Sequence, residues 1–310
     1  HADFPNAWDA WDIDEFYKHT VTDLTDVEGL TAEQLKDGSV RVQLRRSFGS
    51  STVDQTLIVR PGESGVEITN DIDWHEQEKL LKLAFPIDVH ADSAAYETQF
   101  GHLYRPTHEN TSWDSARFEV CAHRWVHVGE TGFGAAVANN STYGHDVSRH
   151  ASPQGGSYSV VRLSLLRGPR YPDPRTDQDR HTVKARFEIG AGIAEAVDAG
   201  YALNLPERRQ PGSATVPAIA TVDGGVIIES IKLAEDRSGD VIIRAYEPYG
   251  ARGTATITPG FDFASVSEVD LLERPIETVE DVKPALVEAG SDSATVSVRP
   301  FQIVSLRFAR

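Results

Sequence analysis

Methionine is absent from the chain, and cysteine occurs once, as Cys121. A single thiol cannot close an internal disulfide, which fits a reducing compartment. No stretch of about 18 apolar residues occurs, so no membrane-spanning helix is expected. Nor does a secretory or transit pattern open the sequence. Basic residues are in the minority: 30 Lys and Arg face 47 Asp and Glu, a formal net charge of −17. Such an acidic chain lacks the basic patches that phosphate backbones require, which excludes nucleic acid as a partner. Nucleophile-elbow, P-loop, dinucleotide, HExxH and CxxC patterns are all missing. The lack of Met and the opening His1-Ala2-Asp3-Phe4 lead us to expect a fragment or a processed piece.

What is present is a globular composition, 40% hydrophobic and 25% charged over 310 residues. Two domains are the default at this length. Apolar residues alternate with polar ones at Val40-Val42-Leu44, Val66-Ile68-Ile72-Trp74 and Leu81-Leu83-Phe85. Similar runs follow at Phe118-Val120, Val160–Leu166, Val183-Ala185-Phe187, Val241–Ala245, Val296-Val298 and Phe301–Phe308. Period-two alternation means half-buried strands. Turn residues separate them, as at Pro61-Gly62, Gly155-Gly156 and Pro259-Gly260. The pattern predicts an all-β sandwich or barrel. Helix signals are confined to Thr31–Lys36, with Thr31 as N-cap, and Gly192–Gly200.

All five Trp lie in the first 125 residues and all eleven His before residue 182. A Pro-, Arg- and Gly-containing stretch, Leu205 to Ser213, then separates them from simpler Val/Ile/Thr strands. A domain boundary is placed near 205–215, giving domains 1–208 and 209–310. Any polar-ligand site should lie in the first.

Two segments carry the chemistry. From Gln99 to Asp114 the chain concentrates Tyr104, Arg105, His108, Glu109, Asn110, Trp113 and Asp114. Sugar hydroxyls hydrogen-bond to carboxylates, amides and guanidinium groups, and sugar C–H faces rest on aromatic rings. The same residues also fit an ordered loop whose Arg and Asp pair with each other. The second segment is Trp8-Asp9-Ala10-Trp11-Asp12-Ile13-Asp14-Glu15. Its Trp-Asp pairs fit carbohydrate contact or packing on a neighbouring domain. A glycosidase acid/base pair needs a defined carboxylate separation, which sequence alone does not give. His123 and His127 read as hydrogen-bonded strand residues sharing a face with Trp125, because zinc needs three or four converging ligands. Cys121 reads as a buried small hydrophobe. Arg167, at a strand end before the Pro-rich Gly168–Pro174 loop, suits a ligand clamp or a surface ion pair.

These segments carry a resemblance. HLYRPTHENTSWDSARFEVCAHRW (102–125) and NAWDAWDIDEFY (6–17) resemble the C-terminal region of cytosolic-type α-mannosidases of glycoside hydrolase family 38. DWHEQEKLLKLAFP (73–86), GFGAAVANNSTYG (132–144), LSLLRGPRYPDP (163–174) and RPFQIVSLRF (299–308) follow in the same order. The resemblance implies a large β-sandwich of the supersandwich, galactose-mutarotase-like kind, followed by a smaller β-sandwich. It implies a retaining α-mannosidase as the parent, acting on terminal α-D-mannosyl residues of mannosides or oligomannose in the cytoplasm. The nucleophile, the acid/base and a zinc ion belong to an N-terminal catalytic domain of the same polypeptide, so no catalytic residue, metal ligand or cofactor maps here. Carried over as substrate-binding candidates are Trp8, Asp9, Trp11, Asp12, Arg105, His108, Asn110, Trp113, Asp114 and Arg167. This piece is expected to pack on the catalytic domain, to contribute to the cleft and to be inactive alone. Homo-oligomer assembly stays open. The rivals are a stand-alone carbohydrate-binding module and a structural or oligomerisation module.

Overall fold

The computed structural model describes residues 1–208, 210–276 and 283–310. Its contacts divide into two compact units, His1–Glu97 with Leu103–Glu207, and Thr98–His102 with Arg208–Arg310. Arg209, which opens the second domain in the sequence reading, lies outside the described residues.

The first unit holds strands β1 (Glu28–Gln34), β2 (Val40–Phe48), β3 (Ser51–Val59), β4 (Gly65–Trp74) and β5 (Leu80–Ile87), with β6 (Ser93–Thr98) up to Glu97 and β7 (Gly101–Pro106) from Leu103. It continues with β8 (Val120–Cys121), β9 (Trp125–Glu130), β10 (Phe133–Asn139), β11 (Gly144–Ala151), β12 (Ser157–Arg167) and β13 (Asp179–Ile189). Nine strands form one sheet in the order β1-β2-β3-β4-β13-β10-β9-β6-β7, and four form another in the order β5-β12-β11-β8. Alternation places Ile68, Val126, Val128, Val137 and Ala185 of the large sheet against Phe85, Ile87, Val161 and Leu163 of the small one. Phe85 stacks on Phe187 at 5.5 Å between ring centroids. Each Val, Ile, Leu and Phe among them contributes about 1.5–3 kcal/mol on full burial, so this face decides the register.

Helix α1 is the single turn Ser112–Ser115, and α2 spans Ile193–Asn204. The Glu195 side chain accepts from the Gly192 N–H at the start of α2, and Asn204 Nδ2 donates to the Asn139 carbonyl at its end. The expected short helix at 192–200 is therefore present and runs one turn further.

The second unit contains β14 (Ala220–Gly224), β15 (Ile227–Leu233), β16 (Val241–Tyr246), β17 (Gly253–Pro259), β18 (Ser265–Val269), β19 (Leu286–Ala289), β20 (Ala294–Val298) and β21 (Ile303–Ala309). Two four-stranded sheets, β14-β17-β20-β19 and β15-β16-β21-β18, enclose a core of Ile243, Ile257, Val296, Leu306 and Phe308. Alternation left sandwich and barrel open; the observed architecture is the all-β sandwich that the family resemblance implied.

Three local expectations are corrected. Thr31–Lys36 is not a helix: Glu28–Gln34 is an edge strand paired with β2, Thr31 opposite Gln43 and Gln34 opposite Val40. Helix propensity is a weak prior, and the hairpin closed at Asp37-Gly38 satisfies these backbone groups instead. The strand around Trp125 starts at Trp125 itself, so His123 lies in the preceding turn and shares no strand face with His127. Cys121 is exposed, because its short strand turns that side chain outward while Ala122 is buried.

Candidate functional site

Residues 1–20 have little regular structure beyond a 3₁₀ turn at Glu15–His19. Backbone bonds fasten the first three residues to Glu78–Leu80, through an Ala2–Lys79 bridge and the Asp3 N–H to the Glu78 carbonyl, and side-chain chemistry holds the turn that follows. Asp3 is 3% exposed and accepts from Arg167 Nε at 2.5 Å through Oδ2. Arg167 Nη2 also donates to the carbonyls of Asp9 at 3.2 Å and Asp12 at 2.8 Å. The Asp9 carboxylate in turn accepts from the N–H groups of Arg170 and Tyr171, at 2.7 and 3.1 Å. One guanidinium fork thus binds both ends of the Asp9–Asp12 turn, a geometry that an ammonium does not reproduce.

That turn presents Trp8 and Trp11, which are 71% and 67% exposed and form an edge-to-face pair at 6.5 Å. Trp8 has φ of 57°, in the left-handed region disfavoured for bulky residues. The Trp8 carbonyl accepts from the N–H groups of Trp11 and Asp12, which stabilises this conformation. The braced turn thus holds two large apolar rings out from the protein surface.

The second predicted segment is arranged otherwise. Thr111 caps α1 by accepting from the Asp114 N–H, and its hydroxyl donates to the Asp114 carboxylate at 2.7 Å. His108 Nδ1 lies 3.6 Å from Asp114 Oδ2 and accepts from the Asn110 N–H at 3.4 Å. Lys18 reaches across to Glu109 at 2.5 Å. Trp113 stands out from α1 at 76% exposure. Arg105 donates to the Cys121 carbonyl at 3.1 Å and lies over the Tyr96 ring at 4.9 Å. The structure therefore gathers Trp8, Asp9, Trp11, Asp12 and Arg167 into one cluster and His108, Asn110 and Asp114 into another. Arg105 and Trp113 join neither through a described contact.

His108, Asn110 and Asp114 line a cleft of about 1440 Å³ in the first unit. The same cleft is lined by Lys82, Asp146 and Arg162, part of a group of charges that the sequence reading did not single out. Lys82, with 3% of its side chain exposed, donates to Glu119 at 2.5 Å and Asp146 at 2.6 Å. Arg162 donates to Asp146 at 2.6 Å and Ser148 at 2.8 Å. The Ser164 hydroxyl and the Tyr17 hydroxyl both donate to Glu119, the latter at 3.1 Å. Burial and the Glu119 charge push the Tyr17 phenol up, so it stays a donor. Lys82 also sits 4.9 Å over the Tyr17 ring. These groups are satisfied by one another, so the network fastens Tyr17 to the small sheet. Strand alternation puts Lys82, Asp146 and Arg162 on the face opposite Leu83, Leu163 and Val147, but only the register reveals that they meet.

Among the described residues no group of three His, Cys, Asp or Glu side chains is placed to hold a metal ion. His127 instead pairs with the Ala191 carbonyl at 2.8 Å.

Residues 1–175 match the model of the glycosyl hydrolases family 38 C-terminal domain, and residues 225–306 that of the family 38 C-terminal beta sandwich domain. The chain belongs to glycoside hydrolase family 38, as its C-terminal β region. It is 34% identical over 318 residues to Alpha-mannosidase 2C1 of Homo sapiens, across 98% of this chain and 29% of that protein. Alpha-mannosidase G of Dictyostelium discoideum is 32% identical over 322 residues, across 97% of this chain and 28% of that protein. The chain thus spans less than a third of the length of these relatives. A crystal structure of an alpha-mannosidase from Enterococcus faecalis V583 has the same fold, with a TM-score of 0.67 at 14% identity. That match covers 91% of this chain and 35% of the solved one.

Proposed function

We propose that this chain is the non-catalytic part of a retaining, cytoplasmic α-mannosidase, and that its Trp8–Asp12 turn walls the mannoside cleft beside the catalytic half. The observation that carries the reading is the exposed Trp8–Trp11 pair on a turn braced by Arg167. An aromatic platform matches the C–H face of a sugar, and a braced one has little freedom to lose on binding. In a retaining glycosidase one carboxylate attacks the anomeric carbon while another group protonates the leaving oxygen. Neither role is assigned to this chain. Its part is orientation of the sugar and exclusion of water. The zinc expected with the catalytic half finds no ligand set among the described residues.

Assay of an aryl α-mannoside checks this. The isolated chain should show no turnover, and zinc-dependent hydrolysis by it would overturn the assignment. In the full-length enzyme, Trp8→Ala with Trp11→Ala should lower kcat/KM by about tenfold or more. Kinetics unchanged in that double variant would remove the turn from the cleft. Calorimetric titration of the isolated chain with mannose and α-mannobiose should be silent; clear binding would favour a self-sufficient carbohydrate-binding module.

A further inference from the structure

We propose that Arg167 is a positioning residue for the mannosidase reaction, acting through the Trp8–Trp11 pair and drawing its own orientation from buried Asp3. The inference rests on the reading of the Trp8–Asp12 turn as a cleft wall.

A strand-end arginine beside a substrate cleft invites assignment as a sugar ligand. The geometry points elsewhere. Nε is committed to Asp3, and Nη2 to two backbone carbonyls. A guanidinium has five N–H donors in a rigid plane, so fixing Nε and Nη2 sets the direction of the whole group. The Asp3 carboxylate is shielded from solvent, and the Asp3 N–H donates to the Glu78 carbonyl at 2.9 Å. Glu78 in turn donates through its N–H to the Gly168 carbonyl at 2.6 Å. Asp3, Arg167 and the Gly168 backbone therefore form a closed circuit between the N-terminal segment and the end of β12.

The turn needs this circuit. Trp8 carries an unfavourable φ, and such conformations persist only when neighbouring bonds over-determine them. The Asp9 and Asp12 carbonyls held by Arg167 immediately flank the exposed pair. Release of the fork would let the turn relax and the two rings reorient. Because the platform touches sugar in ground and transition states alike, the loss should fall on KM while kcat holds.

The experiment uses the full-length enzyme and compares Arg167→Met, Arg167→Lys, Asp3→Asn and the Trp8→Ala/Trp11→Ala pair. Arg167→Met and Asp3→Asn should each raise KM for an aryl α-mannoside by about tenfold. Arg167→Lys should fall between them and the parent, because one ammonium reaches one carbonyl. Neither Arg167→Met nor Asp3→Asn should lower kcat/KM further when placed on the Trp8→Ala/Trp11→Ala background. Trp fluorescence of this 310-residue chain alone, in a Trp113→Phe background, supplies a readout independent of activity. There the exposed indoles under test are Trp8 and Trp11, while Trp74 and Trp125 are buried reporters of the fold. Iodide quenching of the exposed pair should change in Arg167→Met and Asp3→Asn, and the buried reporters should keep their emission.

An Asp3→Asn enzyme with parental KM beside a crippled Arg167→Met enzyme would overturn the proposal, because Arg167 would then meet the substrate itself. Additive losses on the Trp-less background would overturn it too. Parental kinetics in the Trp8→Ala/Trp11→Ala enzyme would instead remove the cleft-wall reading on which the inference rests.

Discussion

Nε2 of His145 accepts a hydrogen bond from Asn139 Nδ2 at 3.3 Å, inside the first sandwich where His145 is fully buried. The amide orientation is fixed by its other bonds: Asn139 Oδ1 accepts from the N–H groups of Ser141 and Thr142, and Nδ2 donates to the His123 carbonyl. His145 Nδ1 must then donate to the Tyr143 carbonyl at 3.0 Å. Only the neutral imidazole fills both roles, since a protonated Nε2 would face an N–H donor. Burial is the main cause that lowers this histidine to about 4.

A pH dependence of stability follows. Between the unfolded value near 6.5 and the folded value of about 4, the unfolded chain binds the extra proton. Stability is fully present above about 6.5 and declines as pH falls through this window, by about 3 kcal/mol at most. Urea denaturation from pH 7.5 to 4 should show the slope, and His145→Gln should flatten it. A parent and variant with parallel profiles would reject the assignment.

Lys82 gives a second prediction. Lys82→Met removes the shared cation from Glu119 and Asp146 while both carboxylates stay largely shielded. Breaking one side of a buried charge network costs about 3–5 kcal/mol. Tyr17 should become more accessible as well, because Glu119 loses its fixed position. Chemical denaturation and tyrosine reactivity read the two effects, and a loss under about 1 kcal/mol would place the network in water.

Packing makes a sharper contrast. Leu163 is fully buried between the two sheets of the first unit, whereas Trp113 projects into solvent. Leu163→Ala should cost about 2–5 kcal/mol through lost transfer energy and a cavity. Trp113→Ala, although it deletes a larger side chain, should stay within about 0.5 kcal/mol in the isolated chain. Paired denaturation curves decide this.

Gly168 supplies the fourth. A Cβ there would lie 2.5 Å from the Glu76 carbonyl oxygen, a backbone atom that cannot rotate away. Gly168→Ala should cost about 1–3 kcal/mol by forcing the two segments apart. Its effect on the Trp8–Trp11 quenching should resemble that of Arg167→Met, since the residues are adjacent in the chain.

Legibility in the sequence followed the cause of each element. Where burial on one face forces alternation, as in Val66-Ile68-Ile72-Trp74 or Leu81-Leu83-Phe85, the strands were readable directly. The strand at Glu28–Gln34 was not, because every residue in it is exposed and no core face imposes a period. Its cross-strand pair, Glu33 with Arg41, depends on a register that no local pattern encodes. Site residues divide the same way. Trp8 and Trp11 stand out by residue type and rarity, and Arg167 by its place at a strand end before a Pro-rich loop. Lys82, Glu119, Asp146 and Arg162 look like ordinary strand charges until β5, β11 and β12 are laid side by side. Apolar neighbours Val120 and Ala122 suggest burial for Cys121, whereas a two-residue strand leaves one side open.

The strand order of the large sheet governs how the molecule is made. β4 pairs not with β5 but with β13, so Gly65 meets Glu188 and Trp74 meets Asp179. During synthesis the strands of residues 28–74 emerge long before the partner that joins them to β10 and β9. Such distant pairing raises contact order and slows folding, and it leaves the β4 edge open meanwhile. Release of the nascent chain before residue 189 should yield a species that aggregates through that edge, and completion of β13 should be the event that renders it protease-resistant.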